Sequence, residues 1–454
     1  ETGTSYTTSG FPLESINLKH ESPGTLRLGH EFLSLFSVPN VRQISNQHMI
    51  PFNKPFLTGN ETEYIRQAVH SGKLSGNGIY TNKCQKFMED HYGFKKALMT
   101  TSCTDALEMA AILCDIKPGD EVIAPSYTFV STVLAFVRQG ARIVFCDSCN
   151  DNPNIDADKI EALITERTRV IVPVHYAGVA CDMDRIMNIA ARHNLLVVED
   201  AAQSIDSYYR GRALGSIGHF GCFSFHETKN IIAGEGGLLA INDLRFLRRS
   251  EIIWEKGTNR SEFFRGEVNK YGWVDTGSSF LPSELTSAFL WAQIENMGII
   301  QTRRREIWER YHAGLADMAA QGCFSLPVIP DYATNNAHMF YILCRTLQER
   351  SALIKHLKEH GILSVFHYLS LHKSAFYTSH ADVRPDNRQD VQTVTATNPD
   401  GSTENETQVV GLDLPNCDRF ADCLLRLPMY YELTDAEQDA VIREIQEFFN
   451  GSEA

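Results

Sequence analysis

From about residue 95 onward, short apolar runs alternate with stretches of helical periodicity. Residues 97–100, 121–124, 142–146, 169–174 and 195–199 are short and dense in apolar side chains, the pattern of strands buried on both faces. Between them, residues 104–114, 130–139, 158–164 and 183–193 carry helical spacing. Phe220 and the run from Phe223 to Phe225 form a further apolar, aromatic strand. Strands and helices alternating in this way predict an α/β fold, a mainly parallel sheet covered on both faces. Its ligand site belongs at the carboxyl ends of the strands. A long helical region, 283–318, leads to a smaller C-terminal part. That part holds apolar segments at 339–343 and 424–428, and helical segments at 351–360 and 436–449.

Polar composition marks the boundaries. Residues 1–48 are rich in Ser, Thr, Gly and Asn, lack a basic start and a long apolar core, and read as an N-terminal extension or expression leader. A large domain over 49–300 and a smaller one over 301–454 are expected. Residues 380–416, rich in Asp, Asn, Thr and Gln, read as an inserted mobile loop.

Overall composition excludes some classes. The 454 residues carry a net charge of -14, which argues against nucleic acid as a partner. No stretch approaches the ~20 apolar residues of a membrane span. The eleven cysteines are scattered, odd in number and mostly set in apolar runs, as expected of reduced thiols in a cytoplasmic protein. Cys146 and Cys149 form a lone CxxC at a strand end, without the second pair that a zinc site requires, and no metal is expected.

Four segments carry chemistry. Lys229 follows the aromatic strand and precedes the turn-rich run 233–237. A lysine there loses solvation, its pKa falls, and its amine becomes free for carbonyl chemistry. Ser224 stands five residues earlier. Thr101, Ser102, Cys103 and Thr104 lie between a strand and a helix, where backbone N–H groups and hydroxyls make an anion site or a simple cap. Asp200 closes an apolar strand, a costly place for a carboxylate unless it meets a cation. Phe129 follows another strand, placed either to stack on a flat ring or to fill the core.

Together, Ser224, Lys229, Asn230 and the Gly234-Glu235-Gly236-Gly237 run resemble the cofactor-lysine segment of the nucleotide-sugar aminotransferases of the DegT/DnrJ type. The resemblance runs from about Met49 to about Phe449. It implies a fold type I, pyridoxal-phosphate (PLP) transferase, with a mainly parallel seven-stranded sheet and a smaller α+β C-terminal domain. It assigns Lys229 as the cofactor lysine and proton shuttle, Asp200 to the pyridine nitrogen and Gln203 to the phenolic oxygen. Ser102, Cys103 (through its backbone), Thr104 and Ser224 hold the phosphate, and Phe129 stacks on the ring. Many relatives carry Asn where Ser279 stands, reaching the phosphate of a neighbouring subunit, so a homodimer is implied. His175, Tyr176 and His338 are expected at the substrate.

Within this family, residues 172–178, 223–230 and 255–261 are closest to members that form dTDP-4-amino-4,6-dideoxygalactose. The implied reaction moves nitrogen from glutamate, leaving 2-oxoglutarate, to a dTDP-linked keto-deoxy sugar. Two alternatives are another keto sugar nucleotide and a non-catalytic protein of the same fold. A related sugar dehydratase would carry histidine in place of Lys229.

Overall fold

The computed structural model describes residues 49–397 and 403–451. The expectations for residues 1–48 lie outside the described residues.

Seven strands form the main sheet: β1 (Lys96–Thr100), β2 (Glu121–Pro125), β3 (Arg142–Cys146), β4 (Thr168–Ile171), β5 (Leu196–Asp200), β8 (Phe220–Ser224) and β9 (Gly237–Ile241). Between β5 and β8 a two-residue hairpin pairs β6 (Tyr208–Tyr209) with β7 (Arg212–Ala213). The sheet order is β1-β9-β8-β5-β4-β2-β3. Only β9 runs against its neighbours, antiparallel to both β1 and β8. The expected mainly parallel sheet is therefore present. β4 stops at Ile171, three residues short of the apolar run, because Pro173 has no N–H to continue a ladder.

The helices begin with α1 (Glu61–His70) and α2 (Ile79–Tyr92), then α3 (Cys103–Leu113), α4 (Ser131–Val137), α5 (Ala157–Ile160) and α6 (Met183–His193). Next come α7 (Leu247–Trp254), α8 (Arg260–Phe264), α9 (Glu284–Glu295) and α10 (Met297–Ala320). Capping explains where several begin. The hydroxyl of Ser102 accepts from the Asp105 N–H to start α3, and Ser283 does the same for Thr286 in α9. The single helical region expected over 283–318 is two helices, broken at Asn296 where the backbone leaves helical geometry. α10 crosses the domain boundary expected near residue 300.

The C-terminal part holds a second sheet, order β10-β14-β11, from β10 (Tyr341–Leu343), β11 (Val365–Phe366) and β14 (Leu424–Arg426). Around it lie α11 (Leu347–Glu359), α12 (Ala375–Ser379), α13 (Pro415–Cys423) and α14 (Asp435–Gly451). The expected loop over 380–416 is a correction: β12 (Val391–Thr397) and β13 (Thr403–Val409) pair as an antiparallel hairpin from Val391↔Val409 to Thr397↔Thr403. Threonine suits strands even where the composition is polar.

Cores form on both faces of the main sheet. Leu98, Val122, Val170, Val198 and Leu239 point to one face and pack with α3 and α4. Ile123, Ile171 and Val197 point to the other and pack with α6. Each strand is apolar in both directions because each is covered twice. All eleven cysteines are free thiols; Cys146 is buried, with its Sγ–H directed at the Asp156 carbonyl.

Candidate active site

A cavity of about 430 Å³ opens where β1, β5 and β8 end, at the N-terminus of α3. It is the position that a parallel sheet prepares, because strand ends and helix starts leave backbone groups unpaired there. Ser102, Cys103, Thr104, Phe129, Asp200, Gln203, Ser224, Lys229 and His338 all line it.

Lys229 sits in a tight turn after β8. Its N–H bonds the His226 carbonyl, while Ala233 N–H returns to Phe225 O. Next to it, Asn230 is buried and pins the turn, donating to Gln301 and to the Asn336 carbonyl. Burial pushes the Lys229 pKa down from its ordinary 10.5, against the opposing pull of Cys103 and Asp200. The amine is thereby shifted toward its neutral, nucleophilic form.

Asp200 ends β5 and is 6% exposed. Its carboxylate accepts from Thr132 Oγ1 at 2.7 Å and from the Ala202 N–H at 3.2 Å. Among the described residues, no cationic side chain lies within ion-pair distance of it. Burial raises its pKa from 3.8. A carboxylate in that state is completed by a cation arriving with a ligand.

The end of the cavity at the α3 N-terminus is built from backbone and hydroxyls. Ser102 caps α3, Thr104 Oγ1 donates to Ser131, and Ser224 lies alongside in the cavity wall. Gly237 of β9 packs against this turn so closely that a Cβ would stand 2.3 Å from the Ser102 carbonyl carbon and 2.5 Å from the Cys103 nitrogen. Glycine there lets the α3 N-terminus sit over the strand ends with its N–H groups free for an anion. Phe129 is 56% exposed because its ring faces open space beside Tyr368, 6.0 Å between centroids.

An anion cradle, a free aromatic face, a buried carboxylate awaiting a cation and a depressed lysine together fit PLP. Bound there, PLP supplies an electron sink for moving an amino group. The chain's own part is to orient and to move protons. Gln203 is held by accepting from the Ala177 N–H at 2.6 Å while its Nε2 donates to Tyr368 OH at 3.1 Å. His338 gives Nδ1 to Asn230 at 2.9 Å, and burial drives its pKa well below 6.5, so it stays neutral at pH 7.

Three expected site residues lie elsewhere. His175 is 0% exposed and does not line the cavity. Its Nδ1 accepts from the Cys181 N–H, so Nε2 carries the proton and donates to Glu199 at 2.9 Å. Successive strand residues face opposite ways, so Asp200 faces the cavity while Glu199 turns to His175 and the N–H groups of Gly215, Ile217 and Gly218. His175 therefore stands behind the cavity wall, held by Glu199 and the Cys181 N–H. His175→Ala is expected to lower stability by about 2–3 kcal/mol, since Glu199 keeps three of its four donors. Urea unfolding measures this. The KM for the sugar substrate should stay within a few-fold, and a large rise would return His175 to the substrate.

Tyr176 is also buried, one layer back, bonding His367 Nδ1 at 2.7 Å. Ser279 is exposed and lines a separate cavity with Lys73, Lys256 and Arg260. Conversely, the sequence analysis did not assign Thr132, which bonds Asp200, or His367, Tyr368 and Arg426, which line the cavity. Tyr368 holds φ 56, a left-handed conformation unusual for an aromatic residue, and its ring stacks on His367 at 3.5 Å. No local motif marks it.

The sequence matches the profile of the DegT/DnrJ/EryC1/StrS aminotransferase family over residues 55–399. It is 29% identical over 413 residues to the spore coat polysaccharide biosynthesis protein SpsC of Bacillus subtilis, covering 89% of this chain and 98% of that one. It is 33% identical over 320 residues to GDP-perosamine synthase of Caulobacter vibrioides, covering 69% and 83%. The solved aminotransferase of Psychrobacter cryohalolentis superposes with a TM-score of 0.78 at 25% identity, over 89% of this chain and all of that one. With its cofactor-shaped cavity at the strand ends, the chain belongs to the DegT/DnrJ/EryC1/StrS family and is a PLP-dependent sugar aminotransferase.

Proposed function

We propose that this enzyme aminates C4 of dTDP-4-keto-6-deoxy-D-glucose, forming dTDP-4-amino-4,6-dideoxy-D-galactose and converting glutamate to 2-oxoglutarate. The observation that carries the reaction is Lys229 facing Asp200 across one cavity, the pair that amino-group transfer through PLP requires. Three stretches support the sugar: 172–178, 223–230 and 255–261. The first supplies Val174 to the cavity wall and the second supplies Ser224, His226, Thr228 and Lys229. Discrimination between C3 and C4 ketones depends on ring placement, where about 1 Å costs about 100-fold in rate. The preference is therefore sharp.

The test is turnover of a panel of keto sugar nucleotides, with NMR of the product reading which ring proton neighbours the amine. Nitrogen at C3, or an equatorial amine at C4, overturns the assignment. A second reading is favoured by the relative named GDP-perosamine synthase: a GDP-linked keto sugar. A rate preference for GDP over dTDP substrates in the same panel selects it.

We also propose that the active unit is a cytoplasmic homodimer in which Ser279 completes the neighbouring site. The supporting observation is that Ser279 lies apart from its own chain's Lys229 cavity, in a basic recess of about 300 Å³. Sedimentation should show a dimer at working concentration, and an active monomer refutes it.

A further inference from the structure

One cation in the Lys229 cavity has no anionic counterpart among the described residues. Arg426 ends β14, the middle strand of the second sheet, paired with Tyr341 and Val365. Its side chain lines the cavity along with Lys229, His338, His367 and Tyr368. The guanidinium carbon lies 4.6 Å over the Phe52 ring, which covers one face of the plane. Its Nε is buried and makes no hydrogen bond among the described residues. Among the described residues, no carboxylate approaches it within ion-pair distance.

Arg426 is half-buried, and an unpartnered Nε recurs at Arg260, Arg310 and Arg350, which lie outside this cavity; the two fully buried arginines are treated differently. Arg304 donates to the Ala337 and His338 carbonyls. Arg384 donates to the Tyr377, Thr378, Arg388 and Gln389 carbonyls. The fold satisfies those guanidinium groups from within and leaves Arg426 turned to the cavity. A buried donor is costly when unpaired, so its partner is expected to come with a ligand.

That partner is anionic and planar by complementarity, because the guanidinium fork matches a carboxylate with two parallel hydrogen bonds. Among the described residues, neither of the cavity's own carboxylates lies within ion-pair distance of Arg426: Asp200 accepts from Thr132 and Ala202, and Glu235 lies 3.7 Å from His226. The anion cradle at the α3 N-terminus belongs to the first sheet, so Arg426 is a second, separate anion point. His338 and His367 beside it are held neutral by burial and add no competing charge. Of the two substrates of a sugar transamination, the amino acid is the one with a carboxylate next to the reacting nitrogen.

We propose that Arg426 is the carboxylate receptor for the amino-acid donor. This rests on the reading of the cavity as a transaminating site, but not on which sugar is aminated. Arg426 therefore sets donor choice, while the keto sugar is held by other groups.

The test titrates the holoenzyme calorimetrically with glutarate, a dicarboxylate with no amino group to transfer, and with dTDP. Arg426→Gln is expected to weaken glutarate by about 10–100-fold, the loss of a charge-assisted pair, and to leave dTDP unchanged. Arg426→Lys, which keeps the charge and loses the fork, should fall between and guards against a variant that misfolds. In steady state, the KM for glutamate should rise in parallel with the KM for the keto sugar unmoved. Equal glutarate binding by wild type and Arg426→Gln, or no glutarate binding by wild type, overturns the proposal. Weakened dTDP with unchanged glutarate also overturns it and assigns Arg426 to the diphosphate. Failure of every keto sugar in the substrate panel would sink the proposed sugar while leaving this result standing.

Discussion

Lys229→Ala is expected to abolish turnover, with a loss of at least about a thousandfold in rate. On the proposed assignment the variant removes one amine that would serve twice, as the covalent attachment of the cofactor and as the base that moves a proton at the reacting carbon. Proton transfer by a positioned side chain alone contributes about 10²–10⁴. The fold should survive, because Lys229 Nζ lines the cavity while the turn is held by Asn230 and by backbone bonds. Borohydride reduction followed by peptide mass analysis should find the cofactor on the Lys229 peptide of the wild type and on no peptide of the variant. A variant transaminating at the wild-type rate would overturn the central assignment.

Asp200→Asn should keep the shape of the site and cost about a thousandfold in rate. Asparagine keeps one oxygen to accept from the Ala202 N–H and turns its amide N–H to Thr132 Oγ1, whose hydroxyl can accept, so the chief loss is the negative charge that, on the proposed assignment, would hold the ring nitrogen protonated. The same substitution has a pH signature in the protein stripped of cofactor. Burial raises the Asp200 pKa above 3.8, so the folded state holds its proton where the unfolded chain has released it. Its contribution to stability is fully present below about pH 3.8 and is lost as pH rises through the higher folded value. Wild-type apoprotein should therefore lose stability across that window, and Asp200→Asn should not. Identical pH–stability curves, or a near-normal rate, would remove Asp200 from the role.

The resemblance drawn from short sequence segments extends to the family and cofactor but not to every contact. Ser102, Asp200, Ser224 and Lys229 were legible because each closes a strand or opens a helix, and a parallel sheet gathers such ends at one edge. The placement of His175 was not legible for a related reason. It too sits near a strand end, yet its side chain turns to Glu199 behind the sheet. Residues 391–397 and 403–409 read as loop because these strands are polar and, among the described residues, pair with each other alone, leaving no apolar alternation to detect.

The sequence by itself determined the alternation of strands and helices and the edge where the cavity lies, and it singled out Lys229 as the candidate cofactor lysine. These follow from local periodicity and from residues within a few positions of one another. Only the tertiary structure decided the rest of the cavity. Tyr368 and Arg426 stand far from Lys229 along the chain, and no local pattern couples them. They meet it because the second sheet docks β14 and the turn after β11 over the strand ends of the first. The tertiary structure also separates Arg304, whose guanidinium donates to carbonyls of its own chain, from Arg426, whose Nε has no partner. That difference depends on what surrounds each guanidinium after packing, which residue type alone does not encode.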